Sequence, residues 1–274
     1  MIIGAMNNPH KSLVEEIHLF GEMNFDYAEI TVERPRAGAE WVAEHKKQVL
    51  DALGSYNLGV LSHMPWYFSV AHPYERIQRA MEMEFSHAFR SAALLGAKKV
   101  TIHTETLSPS VQGRKMHVQN TIAGIKRIDK LARDFGLELH VENLDAKSFS
   151  IKEFHQLFSE VDCAMTLDIG HASTARGEGF ENFYKAFAPR IKHVHLHDNY
   201  CQTDDHLPLG AGKMDIEEIV KSLKTKYDGT ITLEVHSSDR HYLEYSRERL
   251  EILWYGKKRF LENREYLQPE KKEE

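Results

Sequence analysis

The sequence predicts an α/β protein: one parallel (β/α)₈ barrel with its active site at the C-terminal ends of the strands. Short apolar runs alternate with longer amphipathic stretches along the whole chain, which is typical of strand–helix repeats around a parallel sheet. No linker or compositional break divides the 274 residues, a length that α/β barrels commonly reach as a single domain. A doubly wound open sheet fits the same alternation, but no Gly-rich phosphate loop follows the first predicted strand.

The predicted strands are short runs in which apolar residues dominate. They are Ile2–Met6, Tyr27–Thr31, Leu58–His63, Lys99–His103, Leu137–Glu142, Ala164–Asp168, Ile191–His197 and Thr230–Val235. The amphipathic stretches between and after them are predicted helices. They are Lys11–Gly21, Glu40–Leu53, Tyr74–Leu95, Val118–Phe135, Ile151–Ser159, Glu181–Phe187, Ile216–Lys224 and Asp239–Leu261. Gly54, Gly96 and Gly136 directly follow three of these helices, where glycine commonly ends a helix.

We assign residues 1–262 to the barrel and residues 263–274 to a charged C-terminal tail, because the tail has no hydrophobic stripe that could pack. The formal charge of -6 provides no overall field for nucleic acid or an acidic membrane, although a local basic patch can bind DNA on an acidic protein. The N-terminal segment lacks the layout of a signal peptide, and no apolar run approaches membrane-spanning length. Two cysteines cannot build a disulfide framework, so we expect a cytoplasmic protein without a membrane partner.

The segment from Ile191 to Gly212 concentrates histidines and aspartates in a strand and the loop after it. His193, His195 and His197 alternate with apolar residues, so a strand would turn all three rings to one face. Imidazole nitrogens and carboxylate oxygens are good ligands for zinc, manganese and iron, which makes metal binding the first hypothesis. A strand of hydrogen-bonded interior histidines is the alternative.

The barrel hypothesis places chemistry at the strand ends, and the third to the eighth predicted strands each end near a metal-binding type of residue. These residues are His63, His103, Glu142, Asp168, His195 or His197, and Glu234. Taken singly, a histidine could cap a loop and a glutamate could pair with an arginine. A set of carboxylates buried together in a barrel mouth needs a cation to offset its desolvation.

Three further residues extend this set: His171 follows Asp168 closely, and Asp204 and His206 lie in the loop after the seventh strand. One metal ion takes about four to six ligands. The nine candidate ligands are too many for one ion and suit two or three ions that share carboxylates.

These motifs resemble the xylose isomerase-like TIM-barrel superfamily, which joins sugar isomerases and epimerases to the endonuclease IV group of abasic-site DNA repair enzymes. The resembling segments cover nearly the whole barrel. They are VEN at Val141–Asn143, LDIGH at Leu167–His171, HLHD at His195–Asp198, DDHLPLGAG at Asp204–Gly212 and LEVH at Leu233–His236. The resemblance selects His195 over His197 as a ligand and leaves His193 as a packed ring deeper in the barrel.

The resemblance implies two different sites. In the isomerases and epimerases, the residues that match Glu142, Asp168, His195 and Glu234 hold one divalent metal, and the two glutamates exchange the substrate proton. In endonuclease IV, three zinc ions are held by the residues that match all nine positions. Those positions are His63, His103, Glu142, Asp168, His171, His195, Asp204, His206 and Glu234.

The sequence departs from endonuclease IV at several positions. It has DIGH where that family has Asp-Thr-Cys-His, and His197 where that family has asparagine. Glu105 and Asp205 are expected to add negative charge near the cavity and repel a phosphate backbone. Trp66 and Tyr67, with Phe68, stand where endonuclease IV inserts side chains into the duplex; the alternative is an apolar lid over a small sugar.

The favoured hypothesis is a divalent-metal-dependent isomerase or epimerase of a small sugar, sugar phosphate or polyol ketone. Glu142 and Glu234 would transfer the proton as catalytic residues while the metal, zinc or manganese, stabilises an enediolate. One to three ions per chain are expected from the ligand set. Substrate contacts are expected from Trp66, Tyr67, His197, Asp198 and the histidines that the metal leaves free, and phosphate contacts from Lys213 and Arg176.

Two other hypotheses stay open. A multinuclear zinc enzyme of the endonuclease IV type would hydrolyse phosphate esters, and only this hypothesis includes nucleic acid as a partner. A binding or regulatory subunit that has kept an unused site is disfavoured, because a cluster of buried charges would destabilise the fold. The sequence does not predict the oligomeric state.

Overall fold

The computed structural model describes residues 1–256, so the tail assigned to residues 263–274 and the end of the last predicted helix lie outside the described residues. Eight parallel strands pair in sequence order, and the eighth pairs with the first to close the barrel. The predicted fold class, a single (β/α)₈ TIM barrel, is confirmed. Among residues 1–256, no helix combines the length and the apolar character needed to cross a membrane.

The strands agree with the predicted ones to within two residues. They are β1 (Ile2–Met6), β2 (Tyr27–Thr31), β3 (Gly59–His63), β4 (Lys99–His103), β5 (Glu138–Glu142), β6 (Ala164–Asp168), β7 (Ile191–Leu196) and β8 (Thr230–Leu233). Strands β7 and β8 end earlier than predicted, which leaves His197 and Glu234 one residue beyond the ladder.

The helices on the outside of the barrel also follow the prediction, with two short additions, one of them a 3₁₀ helix at Pro109–Val111. The α-helices are α1 (Leu13–Glu22), α2 (Ala39–Ser55), α3 (Glu75–Leu94), α4 (Arg114–Asp134), α5 (Ile151–Glu160), α6 (Ile169–Ser173), α7 (Phe180–Phe187), α8 (Ile216–Lys224) and α9 (His241–Tyr255). The short helix α6 was not predicted; it begins because the Asp168 carboxylate accepts the backbone N–H of His171 as an N-cap.

Two of the three glycine stop positions are confirmed. Gly96 and Gly136 adopt positive φ values of 90° and 72° just after α3 and α4, a conformation that glycine reaches without strain. Gly54 is instead part of α2, which runs to Ser55, and Asn57 takes the positive φ of 54° that reverses the chain there.

The apolar core lies between the outer face of the strands and the helices, where Ile30, Val141 and Leu167 are completely buried. The inside of a TIM barrel is usually filled by large branched apolar residues. Here its middle is polar and fully buried, with hydrogen-bonded pairs such as Thr101 Oγ1 to Thr166 Oγ1 at 2.8 Å. This polar layer lies directly below the strand ends that carry the candidate ligands.

Candidate metal centre

The strand ends β5, β6 and β7 bring Glu142, Asp168 and His195 together with Glu234, and all four side chains are buried. We call these four residues the central site. His195 Nδ1 lies 3.0 Å from Glu234 Oε1, 3.4 Å from Glu142 Oε1 and 3.9 Å from Asp168 Oδ2. One ring nitrogen thus faces three carboxylates.

Two atoms of the central site lack a hydrogen-bond partner among the described residues, although both are buried. They are Asp168 Oδ2 and His195 Nδ1. Buried polar atoms are normally satisfied, because leaving one unpaired costs roughly 1–3 kcal/mol. Oxygen and imidazole nitrogen atoms converging without partners fit a divalent cation such as zinc or manganese.

The second oxygen of Glu142 meets two further imidazoles. His63 Nε2 lies 3.0 Å and His103 Nε2 3.1 Å from Glu142 Oε2. The Glu142 carboxylate therefore bridges the central site on one side and this histidine pair on the other. Bridging carboxylates of this kind are common where metal ions share a site.

A separate group, which we call the outer cluster, consists of His171, Asp204 and His206. The two Nε2 atoms lie 3.2 Å and 3.0 Å from the same Asp204 oxygen, Oδ2. The side chains are 14%, 37% and 16% exposed, so the outer cluster lies nearer the solvent than the central site does. Its three ligand atoms are close enough to hold an ion of their own.

Main-chain carbonyls orient three of these rings in the same way. In each ring, Nδ1 contacts a main-chain carbonyl oxygen. His63 contacts that of Met64 at 2.7 Å, His171 contacts that of Asn143 at 2.9 Å, and His206 contacts that of Glu234 at 3.0 Å. A carbonyl oxygen only accepts, so Nδ1 carries the hydrogen and Nε2 faces the carboxylates. Metal-binding histidines are held in this manner.

The electrostatics of the site favour charged side chains. Burial alone would raise the pKa of Glu142, but His103 and His195 outweigh it and hold that pKa well below its usual range. Burial would lower the pKa of His195, but Glu234 and Glu29 raise it well above its usual range. For His206 the opposing effects of burial and of Asp204 leave a pKa of about 9. A metal ion would displace the imidazole protons and take over their role of balancing the carboxylates.

A cavity of about 1210 Å³ opens above the central site. Trp66 lines it with 58% of the residue exposed, while Tyr67 is 46% exposed and lies outside the lining. Phe68 packs instead against the core, edge-on to Phe85 at 5.2 Å. Arg176 lines the cavity and Lys213 does not.

The structure differs from the prediction at Asp198, which was expected to contact substrate. Asp198 is fully buried and does not line the cavity. Its carboxylate accepts backbone N–H groups of the following loop, those of Asn199, Gly210, Gly212 and Met214, at 2.8–3.1 Å. Asp198 therefore organises the loop that carries Asp204 and His206.

His197, the other expected contact at the rim, is also fully buried and lies beneath the outer cluster. Its Nε2 lies 3.3 Å from Asp204 Oδ1, and its ring stacks on His206 at 4.0 Å. A Cβ atom at Gly170 would come within 2.0 Å of this ring. The glycine at position 170 therefore makes room for the His197 ring.

The two acids expected to repel phosphate do not line the cavity, although their chain neighbours do. Glu105 is completely buried, and its carboxylate accepts Ser69 Oγ at 2.7 Å and the backbone N–H of Ala71 at 2.6 Å. Asp205 accepts the backbone N–H of Tyr200 at 3.0 Å on the loop surface. Both carboxylates bind local backbone groups, and their repulsion of a phosphate backbone stays a prediction.

Sequence reasoning missed Glu29, which lies inside the barrel on β2 with no exposure. Its two oxygens contact His193 Nε2 at 2.8 Å and His195 Nε2 at 3.3 Å. An acidic residue at an inward position of the apolar strand YAEIT was the available indication. His193 is hydrogen-bonded on both nitrogens, as expected for a packed interior ring.

Comparisons with known proteins place the chain in a family. An uncharacterized protein of Methanocaldococcus jannaschii is 27% identical, with 82% of this chain and 79% of that protein covered. A probable endonuclease 4 of Mycobacterium leprae is 26% identical, with 82% and 89% covered. The structure of a D-tagatose 3-epimerase-like protein superposes with a TM-score of 0.77 at 25% identity, with 97% and 100% covered. Since the model of the xylose isomerase-like TIM barrel family matches residues 17–255, the chain belongs to that family.

Proposed function

We propose that the protein is a divalent-metal-dependent isomerase or epimerase of a small sugar, sugar phosphate or polyol ketone. The observation that carries this proposal is the pair of buried carboxylates, Glu142 and Glu234, whose oxygens lie 3.4 Å and 3.0 Å from the same atom, His195 Nδ1. Two carboxylates that converge on one buried point can serve as proton acceptor and proton donor for one substrate carbon. Similarity along nearly the full length to a D-tagatose 3-epimerase-like protein supports this class.

Glu142, Asp168, His195 and Glu234 would hold the ion, zinc or manganese. Bound there, the ion would polarise a substrate carbonyl and its neighbouring hydroxyl and so acidify the adjacent C–H bond. One glutamate would remove the proton from that carbon, and the other would deliver a proton to the opposite face. Burial would raise the pKa of Glu142, but His103 and His195 hold it well below its usual range. The Glu142 carboxylate is therefore ionised and can accept a proton.

The remaining polar groups of the cavity would bind the substrate hydroxyls. His63 and His103 would hold the Glu142 carboxylate in one orientation through its second oxygen. His171 and His206 present Nε2 atoms from fixed rings, and the exposed indole of Trp66 offers a flat apolar face for a sugar ring.

The test is proton exchange. The manganese- or zinc-loaded protein is incubated with a panel of ketoses and ketose phosphates in deuterated water, and deuterium at the carbon beside the carbonyl is measured by NMR. We expect exchange with the wild type and a loss of about 100-fold or more with Glu142→Gln and with Glu234→Gln. Glu138→Gln, at the exposed opposite end of β5, is the matched control and should exchange normally. Unchanged exchange in Glu142→Gln would sink the proposal.

A second candidate is a multinuclear zinc hydrolase of phosphodiesters or phosphomonoesters. Its specific support is the outer cluster, which adds a set of metal-capable ligand atoms beyond the central site. The relative described as a probable endonuclease 4 supports the same class. Under this candidate nucleic acid becomes a partner, and the exposed Trp66 and Tyr67 could stack on bases.

Metal content separates the two candidates. Elemental analysis of the purified protein counts zinc per chain, and a gel assay measures incision of a duplex with one abasic site. About three zinc ions per chain with incision would replace the first proposal by the second. About one exchangeable ion without incision would remove the second candidate.

A further inference from the structure

The carboxylate of Glu29 lies directly under the central site, in the polar layer inside the barrel. Both the residue and the two rings that it contacts are buried, so no solvent competes for its oxygens. Oε1 lies 3.3 Å from His195 Nε2, on the side of that ring opposite to the other carboxylates. The two nitrogens of His195 thus face different carboxylates: Nε2 faces Glu29, and Nδ1 faces Glu142 and Glu234.

The direction of each hydrogen bond around Glu29 follows from counting hydrogens. The carboxylate accepts the hydroxyl hydrogen of Thr232, so Tyr27 must be the donor in its 2.8 Å bond to Thr232 Oγ1. Glu29 Oε2, 2.8 Å from His193 Nε2, only accepts, so Nε2 carries the hydrogen of the neutral ring. His193 Nδ1 then accepts from the Thr230 hydroxyl at 2.7 Å, which is closer than the Thr230 carbonyl oxygen at 3.1 Å. Each hydroxyl and His193 then uses its single hydrogen once.

The remaining donor to Glu29 is His195 Nε2–H. Turning that ring over would place a C–H against the carboxylate and leave one of its oxygens without this donor. Since a buried oxygen of an ionised carboxylate is costly to leave without a donor, the network disfavours the reversed ring. With the hydrogen on Nε2, the lone pair of Nδ1 points at the carboxylates of the central site.

We propose that Glu29 is a positioning residue that holds His195 with Nε2–H towards β2 and Nδ1 towards the ion of the central site. This rests on the metal centre of the proposed function and adds to it a residue from the second strand. Glu29 contacts no substrate and acts only through His195. The same carboxylate fixes His193, so it also sets the position of β7 against β2 inside the barrel.

The first measurement is the zinc dissociation constant, obtained by competition with a chromophoric chelator. Glu29→Leu keeps the bulk but removes the acceptor, and we expect zinc to bind about 10–100-fold more weakly. Glu29→Gln keeps one oxygen that can accept from His195, so it should recover most of that loss. The matched control is Thr101→Val, which breaks another buried polar pair inside the same barrel and should bind zinc as the wild type does.

The second measurement is spectroscopic, and its decisive part uses only the wild type. In zinc-loaded protein labelled with ¹⁵N at histidine, the hydrogen on Nε2 of His195 should exchange slowly with solvent. The ¹⁵N chemical shift of Nδ1 should be that of a zinc-bound nitrogen. Glu29→Leu should lose the slow exchange. If His195 of the wild type instead binds zinc through Nε2, the inference is overturned even when the leucine variant does not fold.

The outcomes separate this inference from the proposed function. Tight zinc binding by the wild type with equal affinity in a folded Glu29→Leu overturns the role of Glu29 and leaves the metal centre standing. Absence of tight metal binding in the wild type overturns both. Weaker binding in Glu29→Leu, recovery in Glu29→Gln and no change in Thr101→Val support the inference.

Discussion

The central site and the outer cluster use the same kinds of ligand atoms but are built in different ways. Glu142, Asp168 and His195 belong to barrel strands or their last residues, whereas the outer cluster stands on the five-residue helix α6 and the loop after β7. Hydrogen bonds between strands hold these three residues, whereas the loop is gathered around a buried carboxylate, Asp198, and joined by backbone hydrogen bonds to its neighbours. Ligands on strands are therefore suited to a rigid metal site, and ligands on loops to the choice of substrate or reaction.

The largest effect is expected from Asp168→Asn in the central site. Asparagine keeps an oxygen to cap α6 but removes the charge, and we expect the catalytic rate to fall about 1000-fold together with loss of bound metal. Asp162→Asn, at the exposed opposite end of β6, is the matched control. Retention of both metal and rate by Asp168→Asn would show that the strand ends are not the seat of the chemistry.

A second prediction concerns the support of the outer cluster. Asp198→Ala removes the acceptor of four backbone N–H groups, and we expect the free energy of unfolding to fall by about 3 kcal/mol in urea denaturation. Asp205→Ala, in the same loop but at its surface, should change it by less than about 1 kcal/mol. Equal effects of the two variants would mean that the loop keeps its shape without Asp198.

Asp204→Asn tests what the outer cluster does. If it binds substrate hydroxyls, we expect KM to rise about tenfold and kcat to stay within about threefold. A fall in kcat of more than about 100-fold, with fewer zinc ions per chain, would instead assign the cluster to metal-assisted hydrolysis. Steady-state kinetics and elemental analysis on the same sample give both readouts.

The smallest effect is expected from pH on the metal-free protein. Burial lowers the pKa of His206, but Asp204 and Glu234 outweigh it and raise the pKa to about 9. Because the folded-state pKa exceeds the unfolded one, the stabilisation by the charged ring is complete below about pH 6.5 and disappears as pH rises through about 9. We expect the chelator-treated wild type to lose about 1 kcal/mol between about pH 7 and about pH 9.5 relative to His206→Gln. Thermal melting of both proteins across this pH range is the measurement. An equal change in the stability of wild type and His206→Gln would contradict the expectation.

The fold and the central site were predictable because strand ends of a parallel barrel meet at one rim. Residues such as His63 and Glu142 could therefore be assigned to one place from their positions in the sequence alone. The directions of loop side chains could not be predicted, because they depend on which backbone groups need an acceptor. Glu105 and Asp205 illustrate this: both were expected to add negative charge near the cavity, but their carboxylates accept local backbone N–H groups and do not line it.

His197 and Glu29 were misassigned or missed for different physical reasons. His197 shares the strand pattern of His195, but β7 ends at Leu196 and the ring packs into space left by Gly170. Glu29 belongs to no motif, since its partners come from strands distant in sequence. Only the closed barrel brings β2 beside those rings.

The main-chain carbonyls that bind His63, His171 and His206 also bear on how such a barrel can change over time. A side chain that oriented a ligand could be lost in a single substitution, but a carbonyl oxygen is present whatever residue provides it. Mutations around these three rings can therefore remodel the cavity while the nitrogen that faces the carboxylates stays the same. A scaffold of this kind can acquire new substrates without rebuilding its ligand geometry at each step.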